Sequence, residues 1–347
     1  MNEYTCYYLE NCIGFKIDFI NPCSPGTKYI TPLIPFKGGD FPLQEFLDMK
    51  NKTKNEIKAS TSECFNCPHL KKERFKLVKS LFNIVSPKYL FNVIEISHFL
   101  DCNARCSYCN VWHQDQINYN KPKYQIYNMI KYILDNNLLN PKGIVVWGGG
   151  EPTIYKEFEA TSNLLSERGI KILVNSNCIK FSDALYNAIN LNNANLQLSL
   201  DSGDKATYIS MKNLDRFDII VSNLKKYSSE RPENITLKYI INDKNNEPQT
   251  LINFLTLAKD LKITMISLSP EATEAFSNNI SDKTFKGITV FLNEAYKKNI
   301  NVNVFYDLFG ETYSKRIKKE NPILVILNFK KLIHIVKNRI LNFNRHI

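Results

Sequence analysis

"FNVIEISHFLDCNARCSYCN", residues 91–110, decides the fold of this chain. Its opening is short, apolar and rich in β-branched side chains, the pattern of a buried strand. Its end places Cys102, Cys106 and Cys109 within eight positions, directly after the apolar run. Three thiols so close cannot all pair as disulfides. Three is also one short of a closed four-ligand metal site.

Five further runs repeat the texture of that strand: "GIVVW", "IKILVNS", "ANLQLSL", "ITLKYII" and "ITMISLS", beginning at residues 143, 170, 194, 235 and 263. Helical patterns such as "YQIYNMIKYILDNNL" and "QTLINFLTLAKDL" lie between them. Strands alternating with helices at this spacing predict right-handed βαβ units and a parallel sheet buried on both faces. The expected class is α/β, a closed or partly closed barrel. Each strand runs into polar residues or glycines: the three-cysteine loop, "GGGEP", "NSN", "SLD", "NDK" and "SPE". The carboxyl ends of parallel strands are where ligands bind in such folds, so the functional side is expected there.

The 347 residues are 44% apolar, enough for a sizeable core. The first residues, "MNEYTCYYLENC", include an acid and no unbroken apolar stretch, which argues against a secretory signal. No run is long enough to span a bilayer. Nine cysteines without an export signal point to metal ligation or reactive thiols, and a cytoplasmic location is expected. Residues 315–347 hold nine Lys or Arg against Glu320 alone, a net +8 of the chain's +11. The basic character therefore describes a tail, and nucleic acid is not an expected partner.

A cubane iron–sulfur cluster is normally held by four thiolates, so three cysteines on one loop leave one iron open to a cofactor. "CNARCSYC" is similar to the CxxxCxxC signature of the radical S-adenosylmethionine (radical SAM) enzymes, including the aromatic Tyr108. "GGGEP" at 148–152 resembles that family's motif for the methionine amino group, and "SLD" at 199–201 its ribose-contacting strand end. The resemblance covers roughly residues 90–270 and implies a partial (β/α)6 TIM-like barrel. It implies a [4Fe–4S] cluster and S-adenosylmethionine as cofactors, reductive cleavage to a 5′-deoxyadenosyl radical, and hydrogen abstraction from a substrate. By position, Cys102, Cys106 and Cys109 would ligate iron and Tyr108 would lie near the adenine. Gly148, Gly149, Gly150 and Glu151 would receive the methionine end, with glycines allowing close backbone approach. Ser176, Asn177, Ser199 and Asp201 would bond ribose or carboxylate. An electron donor such as flavodoxin or ferredoxin is implied. The alternative for the three cysteines alone is structural zinc with His98 or His113 as fourth ligand. Glu95 and Cys178 read as structural, and no catalytic side chain beyond the cluster stands out.

Residues 1–85 form a cysteine-rich region broken by Pro22, Pro25, Pro32, Pro35 and Pro42, followed by a helical "DFPLQEFLDMKNKTKNEIK". Cys12 and Cys23 with the "CFNC" pair Cys64 and Cys67 are candidate ligands for a second [4Fe–4S] cluster or for zinc, with His69 as a substitute and Cys6 as the spare. This resembles the SPASM and twitch auxiliary modules, but it precedes the barrel instead of following it. The barrel is expected over 86–305 and a basic tail over 306–347. Within the tail Val325, Phe329, Leu332, Ile333, Val336, Ile340 and Phe343 recur at helical spacing, with Lys331, His334, Lys337, Asn338 and Arg345 opposite. That basic amphipathic helix either packs on the barrel or docks on the anionic inner face of a membrane. "LSLDSGDKATYISMKNLDRFDIIVSNLKKY" looks like family members that accompany cell-surface polysaccharide assembly, so a saccharide substrate is expected. A peptide substrate, or a non-catalytic iron–sulfur protein, are the competing readings.

Overall fold

The structure is a computed structural model that describes residues 4–23, 34–35, 40–67, 70–72, 89–109, 124–271 and 280–320. The chain divides into two compact units, one from residues 1–102, 111–175 and 182–195, the other from 103–110, 176–181 and 196–347.

The first unit opens with β1 (Tyr4–Thr5), α1 (Tyr7–Asn11), β2 (Cys12–Phe15), β3 (Phe19–Asn21), β4 (Ile34–Pro35), α2 (Leu43–Lys58) and β5 (Lys71–Lys72). Then come β6 (Phe91–Ile96), α3 (Ile126–Asp135), β7 (Leu139–Trp147), α4 (Phe158–Glu167), β8 (Lys171–Asn175) and α5 (Asp183–Asn190). β6, β7 and β8 run parallel, with Ile94 beside Val145 and Val145 beside Ile172. α3 forms because Ile126, Met129, Ile130 and Ile133 fall on one buried stripe. Ser182 caps α5 by accepting from the Leu185 N–H at 3.1 Å.

The described strands of the cysteine-rich region extend the sheet of the first unit. β2 lies parallel to β6, from Cys12 beside Val93 to Phe15 beside Ile96, and β3 and β4 continue antiparallel from it. Buried amides fasten this addition: Asn92 donates to Asn11 and Asn140 donates to Asn92, each at 2.8 Å.

The second unit holds β9 (Ala194–Ser199) from Leu196 onward, α6 (Lys205–Lys212), α7 (Phe217–Tyr227), β10 (Ile235–Ile241) and α8 (Pro248–Asp260). β11 (Met265–Pro270), α9 (Asp282–Lys297), β12 (Asn301–Val304) and α10 (Tyr306–Glu320) follow. Its strands are parallel in the order β9–β10–β11–β12. The first helix of the expected tail, α10, belongs to this unit: Arg316 pairs with Asp282 at 2.7 Å and stacks on Phe285. All six strands expected from the sequence are present, and β12 adds a parallel strand that was not. The fold is thus α/β with a largely parallel sheet, as a partial TIM-like barrel requires. Among the described residues no helix is long and apolar enough to cross a membrane. The amphipathic helix expected over 325–343, and His69 and His113, lie outside the described residues.

Candidate functional site

In the first unit the loop leaving β7 is bonded to the segment leaving β6. The Gly148, Gly150 and Glu151 N–H groups donate to the carbonyls of Ile96, Phe99 and Asp101, each at 2.8 Å. Gly149 adopts φ +98°, where a side chain would be strained, and a Cβ there would come 2.7 Å from the Phe99 carbonyl oxygen. A Cβ on Gly150 would come 2.1 Å from the carbonyl oxygen of Asp101, next to Cys102. At these two glycines backbone packs closely on backbone, which leaves no room for a side chain. Gly148 is less enclosed, its nearest neighbour being the Asn175 amide nitrogen at 3.3 Å from a notional Cβ. Glu151 is buried, and its Oε1 accepts from the Thr153 N–H and hydroxyl at 3.0 and 2.6 Å. It caps the turn "PTI" that follows.

In the second unit the remainder of the cysteine loop is clamped by the end of α6. Ser107 N–H donates to the Met211 carbonyl at 2.9 Å, and the Asn213 side chain donates to the Arg105 carbonyl at 2.7 Å. Asn213 closes the helix in the left-handed conformation, φ 55°, which asparagine tolerates. Cys109 N–H turns back to the Cys106 carbonyl at 3.1 Å. Asn177 donates to the Asn103 side chain at 2.7 Å, so the turn after β8 holds the same loop.

Beneath this loop lies a buried ion pair that the motifs did not announce. Lys212 Nζ is 2.5 Å from Asp201 Oδ2, with side chains only 4% and 0% exposed. The Tyr108 hydroxyl donates to the same carboxylate oxygen, and Lys212 donates to the hydroxyl. Asp201 holds a left-handed φ of 58° while its Oδ1 accepts from the Ile240 N–H at 2.6 Å. Its carbonyl accepts from Asn245 at 2.9 Å, which fixes the strained turn. Burial works against the Lys212 charge, but Asp201 and Cys106 outweigh it and hold the ammonium above the ordinary lysine range. Burial pushes the Cys106 thiol up, and Lys212 opposes that rise. Tyr108 is pushed well above the usual phenol range by burial and by the Asp201 charge.

The other expected site residues fall as follows. Ser176 is buried and its hydroxyl accepts from the Cys178 N–H at 3.0 Å. Cys178 is fully buried, in the packed setting expected of it. Ser199 ends β9 on the face opposite buried Leu196 and Leu198. Glu95 pairs with Lys16 at 2.6 Å. His98 is enclosed by Tyr124, Trp147 and Tyr155, and burial lowers its pKa to about 3. Neither of its ring nitrogens has a hydrogen-bond partner among the described residues. This aromatic enclosure does not suit the zinc-ligand role considered for His98.

The N-terminal thiols gather in the first unit, and Cys6 is among them. β1 pairs with β5 so that Thr5 lies beside Lys71, which carries Cys6 toward Leu70 and the turn before it. In that turn Cys67 N–H donates to the Cys64 carbonyl at 2.9 Å. Cys6 packs with Leu9 and Ile57, and Cys64, Leu70, Tyr4 and Tyr8 close around them. Burial pushes Cys12 and Cys23 up to about 12. At Cys23 the charges of Cys6, Cys67, Cys64 and Cys12 add to the rise in that order, so the expected spare stands nearer to it electrostatically than Cys12 does.

None of the nine cysteines forms a disulfide. Among the described residues no three His, Cys, Asp or Glu side chains converge to enclose a metal ion. The donor chemistry of the loop nonetheless suits an iron–sulfur cluster, since soft thiols stand beside a buried cation that offsets thiolate charge.

Residues 96–255 match a family model described as the Radical SAM superfamily. Solved structures that resemble the chain include Streptococcus suis SuiB, at 15% identity and TM-score 0.47, with 77% of this chain and 55% of that one covered. Native anSMEcpe with bound AdoMet matches at 15% identity and TM-score 0.47, covering 62% and 63%. TYW1 with a lysine–pyruvate adduct matches at 17% identity and TM-score 0.41, covering 67% and 84%. The chain spans 55% to 62% of the length of the SuiB structures it matches. No curated relative matches the sequence. The stretch that matches the Radical SAM superfamily model, residues 96–255, contains the cysteine loop, "GGGEP" and "SLD".

Proposed function

We propose that the protein is a radical SAM enzyme that cleaves S-adenosylmethionine reductively and abstracts hydrogen from a saccharide. The observation that carries the radical chemistry is the span of the family match, 96–255, which encloses the cysteine loop, "GGGEP" and "SLD" together, whereas the saccharide rests on the pattern of "LSLDSGDKATYISMKNLDRFDIIVSNLKKY". Cys102, Cys106 and Cys109 would hold the cluster, and the bound cluster and cofactor supply the radical chemistry. The chain's own residues position and shield. Gly148 to Glu151 offer backbone for the methionine end, and the Lys212–Asp201 pair orients the Tyr108 ring for the adenine. Lys212 keeps a positive charge beside Cys106. Ser176, Asn177 and Ser199 stand at strand ends for ribose or carboxylate. A flavodoxin or ferredoxin would deliver the electron, and the basic tail would supply contact with an inner membrane face.

The N-terminal thiols would hold zinc or a second cluster, with Cys6 competing with Cys12 for the fourth position. Anaerobic reconstitution followed by iron and zinc counting, then dithionite and S-adenosylmethionine, tests these assignments. The expected product is 5′-deoxyadenosine, abolished in Cys106→Ser. A filled cluster that yields none overturns the radical reading. Loss of the second metal in Cys6→Ser but not in Cys12→Ser assigns the fourth ligand to Cys6, and the reverse assigns it to Cys12. A peptide substrate, such as the precursor peptide bound to SuiB, would replace the saccharide if deuterium from a labelled peptide, and not from a labelled sugar, enters 5′-deoxyadenosine.

A further inference from the structure

The second unit's sheet carries a polar row that the cofactor motifs do not use. Along β10, Ile235, Leu237, Tyr239 and Ile241 are fully buried, and Tyr239 packs on Phe254 of α8 and Phe291 of α9. Side chains alternate across a strand, so Thr236, Lys238 and Ile240 project from the face turned away from those helices. Parallel register extends this face over four strands. Lys238 lies beside Ser199 of β9 and Ser267 of β11, and Ser267 lies beside Asn303 of β12. The next row toward the strand starts aligns Thr236, Met265 and Asn301.

Two groups on this face are unmet. Lys238 makes no ion pair or hydrogen bond among the described residues. The carboxylate whose charge reaches it, Asp201, is already bonded to Lys212, Tyr108 and the Ile240 N–H. Burial pulls the Lys238 ammonium below the ordinary lysine range, Asp201 opposes that fall and Lys212 adds to it. Glu271, two same-face positions nearer the strand ends than Ser267, accepts from Asn242 at 2.8 Å. The second unmet group is Asn301 Oδ1, buried without a hydrogen-bond partner among the described residues. An uncompensated cation and an orphaned acceptor are each costly when withdrawn from water. A ligand that carries both an anion and hydroxyl donors satisfies the two at once.

We propose that Lys238 and Ser267 form a subsite for a phosphate or carboxylate group on the substrate, with Asn303 and Asn301 taking its hydroxyls. The substrate is then an anionic saccharide, phosphorylated, nucleotide-linked or acidic, and not a neutral sugar. This rests on the saccharide reading above and narrows it. The carboxylate of S-adenosylmethionine is the other source of the same chemistry.

Titration calorimetry on the 347-residue chain separates the sources, with α-D-glucose 1-phosphate and S-adenosylmethionine as probes. The expected result is that the wild type binds the sugar phosphate and Lys238→Met weakens it by about tenfold or more, the scale of a lost charge-assisted hydrogen bond. Lys238→Arg keeps most of the affinity, and Ser267→Ala, which leaves the charge in place, loses about two- to fivefold. Lys259→Met, on the exposed side of α8, binds as the wild type does. No binding by the wild type, or equal binding by Lys238→Met, overturns the subsite. So does a loss confined to S-adenosylmethionine, which gives the ammonium to the cofactor. A loss equally large in Lys259→Met reduces the effect to net charge and overturns it too. Formation of 5′-deoxyadenosine by the wild type is measured on the same preparation. Its absence sinks the radical chemistry and leaves the anion subsite standing, so the two failures are distinct.

Discussion

The two thiol-bearing regions of this molecule differ in what stands beside the sulfur. In the cysteine loop, Cys106 faces a buried ammonium, Lys212, held in place by Asp201. In the N-terminal group, burial and neighbouring thiols both push Cys6, Cys12 and Cys23 up. The cation that reaches that group is Lys50, felt at Cys12. Lys50 is itself buried, bonded to the Glu10 carbonyl at 3.2 Å, and lowered to about 8 mainly by burial. A thiolate withdrawn from water needs an opposite charge nearby. The loop has one built into the protein, whereas the N-terminal thiols would have to take theirs from a bound metal.

The largest expected effect breaks the comparison at its stronger end. Lys212→Met leaves Asp201 buried and uncompensated, which costs about 3–5 kcal/mol in denaturant unfolding. The double variant Lys212→Met/Asp201→Asn recovers a good part of that loss, because the stranded charge is gone. A single-variant loss under about 1 kcal/mol would show that the pair does not anchor the loop.

His98 sharpens the contrast, being a buried titratable group with no counter-charge. Its folded pKa of about 3 lies below the ordinary 6.5. As pH falls through 6.5 the unfolded chain takes up the proton first, so stability declines, by roughly 2 kcal/mol at pH 5. His98→Phe should flatten this acid limb in melting curves, and an unchanged limb would assign the acid sensitivity elsewhere.

The smallest effect belongs to the N-terminal thiols. In metal-free protein, Cys12 and Cys23 keep their protons up to about pH 12 while the unfolded chain releases them near 9. Stability therefore falls as pH rises past 9, by about 1.4 kcal/mol per pH unit for each thiol. Lys50 works the other way: above pH 8 the folded chain releases a proton that the unfolded chain keeps to about 10.5, so its contribution rises. Between about pH 9 and 10.5 these three groups together give the slope of one thiol, and Cys23→Ala should make the observed slope less steep by about 1.4 kcal/mol per pH unit. A slope unaffected by Cys23→Ala would remove the N-terminal thiols from the comparison.

Much of the fold was legible because burial imposes a period. Six β-branched runs alternating with amphipathic stretches have few ways to hide their apolar faces, and all six became strands. β12, "NVNV", escaped notice because four residues with two asparagines carry little hydrophobic signal. The strand-end motifs were legible for a different reason, since sulfur spacing and glycine runs are chemical patterns that survive without coordinates. Lys212 and Cys6 were not legible. Lys212 sits among ordinary helical residues and is identified by a carboxylate eleven positions away. Cys6 has no motif of its own, and only the pairing of β1 with β5 carries it toward "CFNC". Lys238 lay between the two cases: alternation in "ITLKYII" sets its face, and nothing local shows that it lacks a partner.

From the order of residues alone came the alternation of strand and helix, the place of each motif at its strand end, and the three-sulfur loop. These follow from side-chain period and ligand spacing, which are local. Only the folded chain decided which charges are compensated, which glycines touch backbone and which thiols become neighbours. Those depend on contacts between residues far apart in the chain, whose energies are set by burial and by whatever partner the register brings within reach.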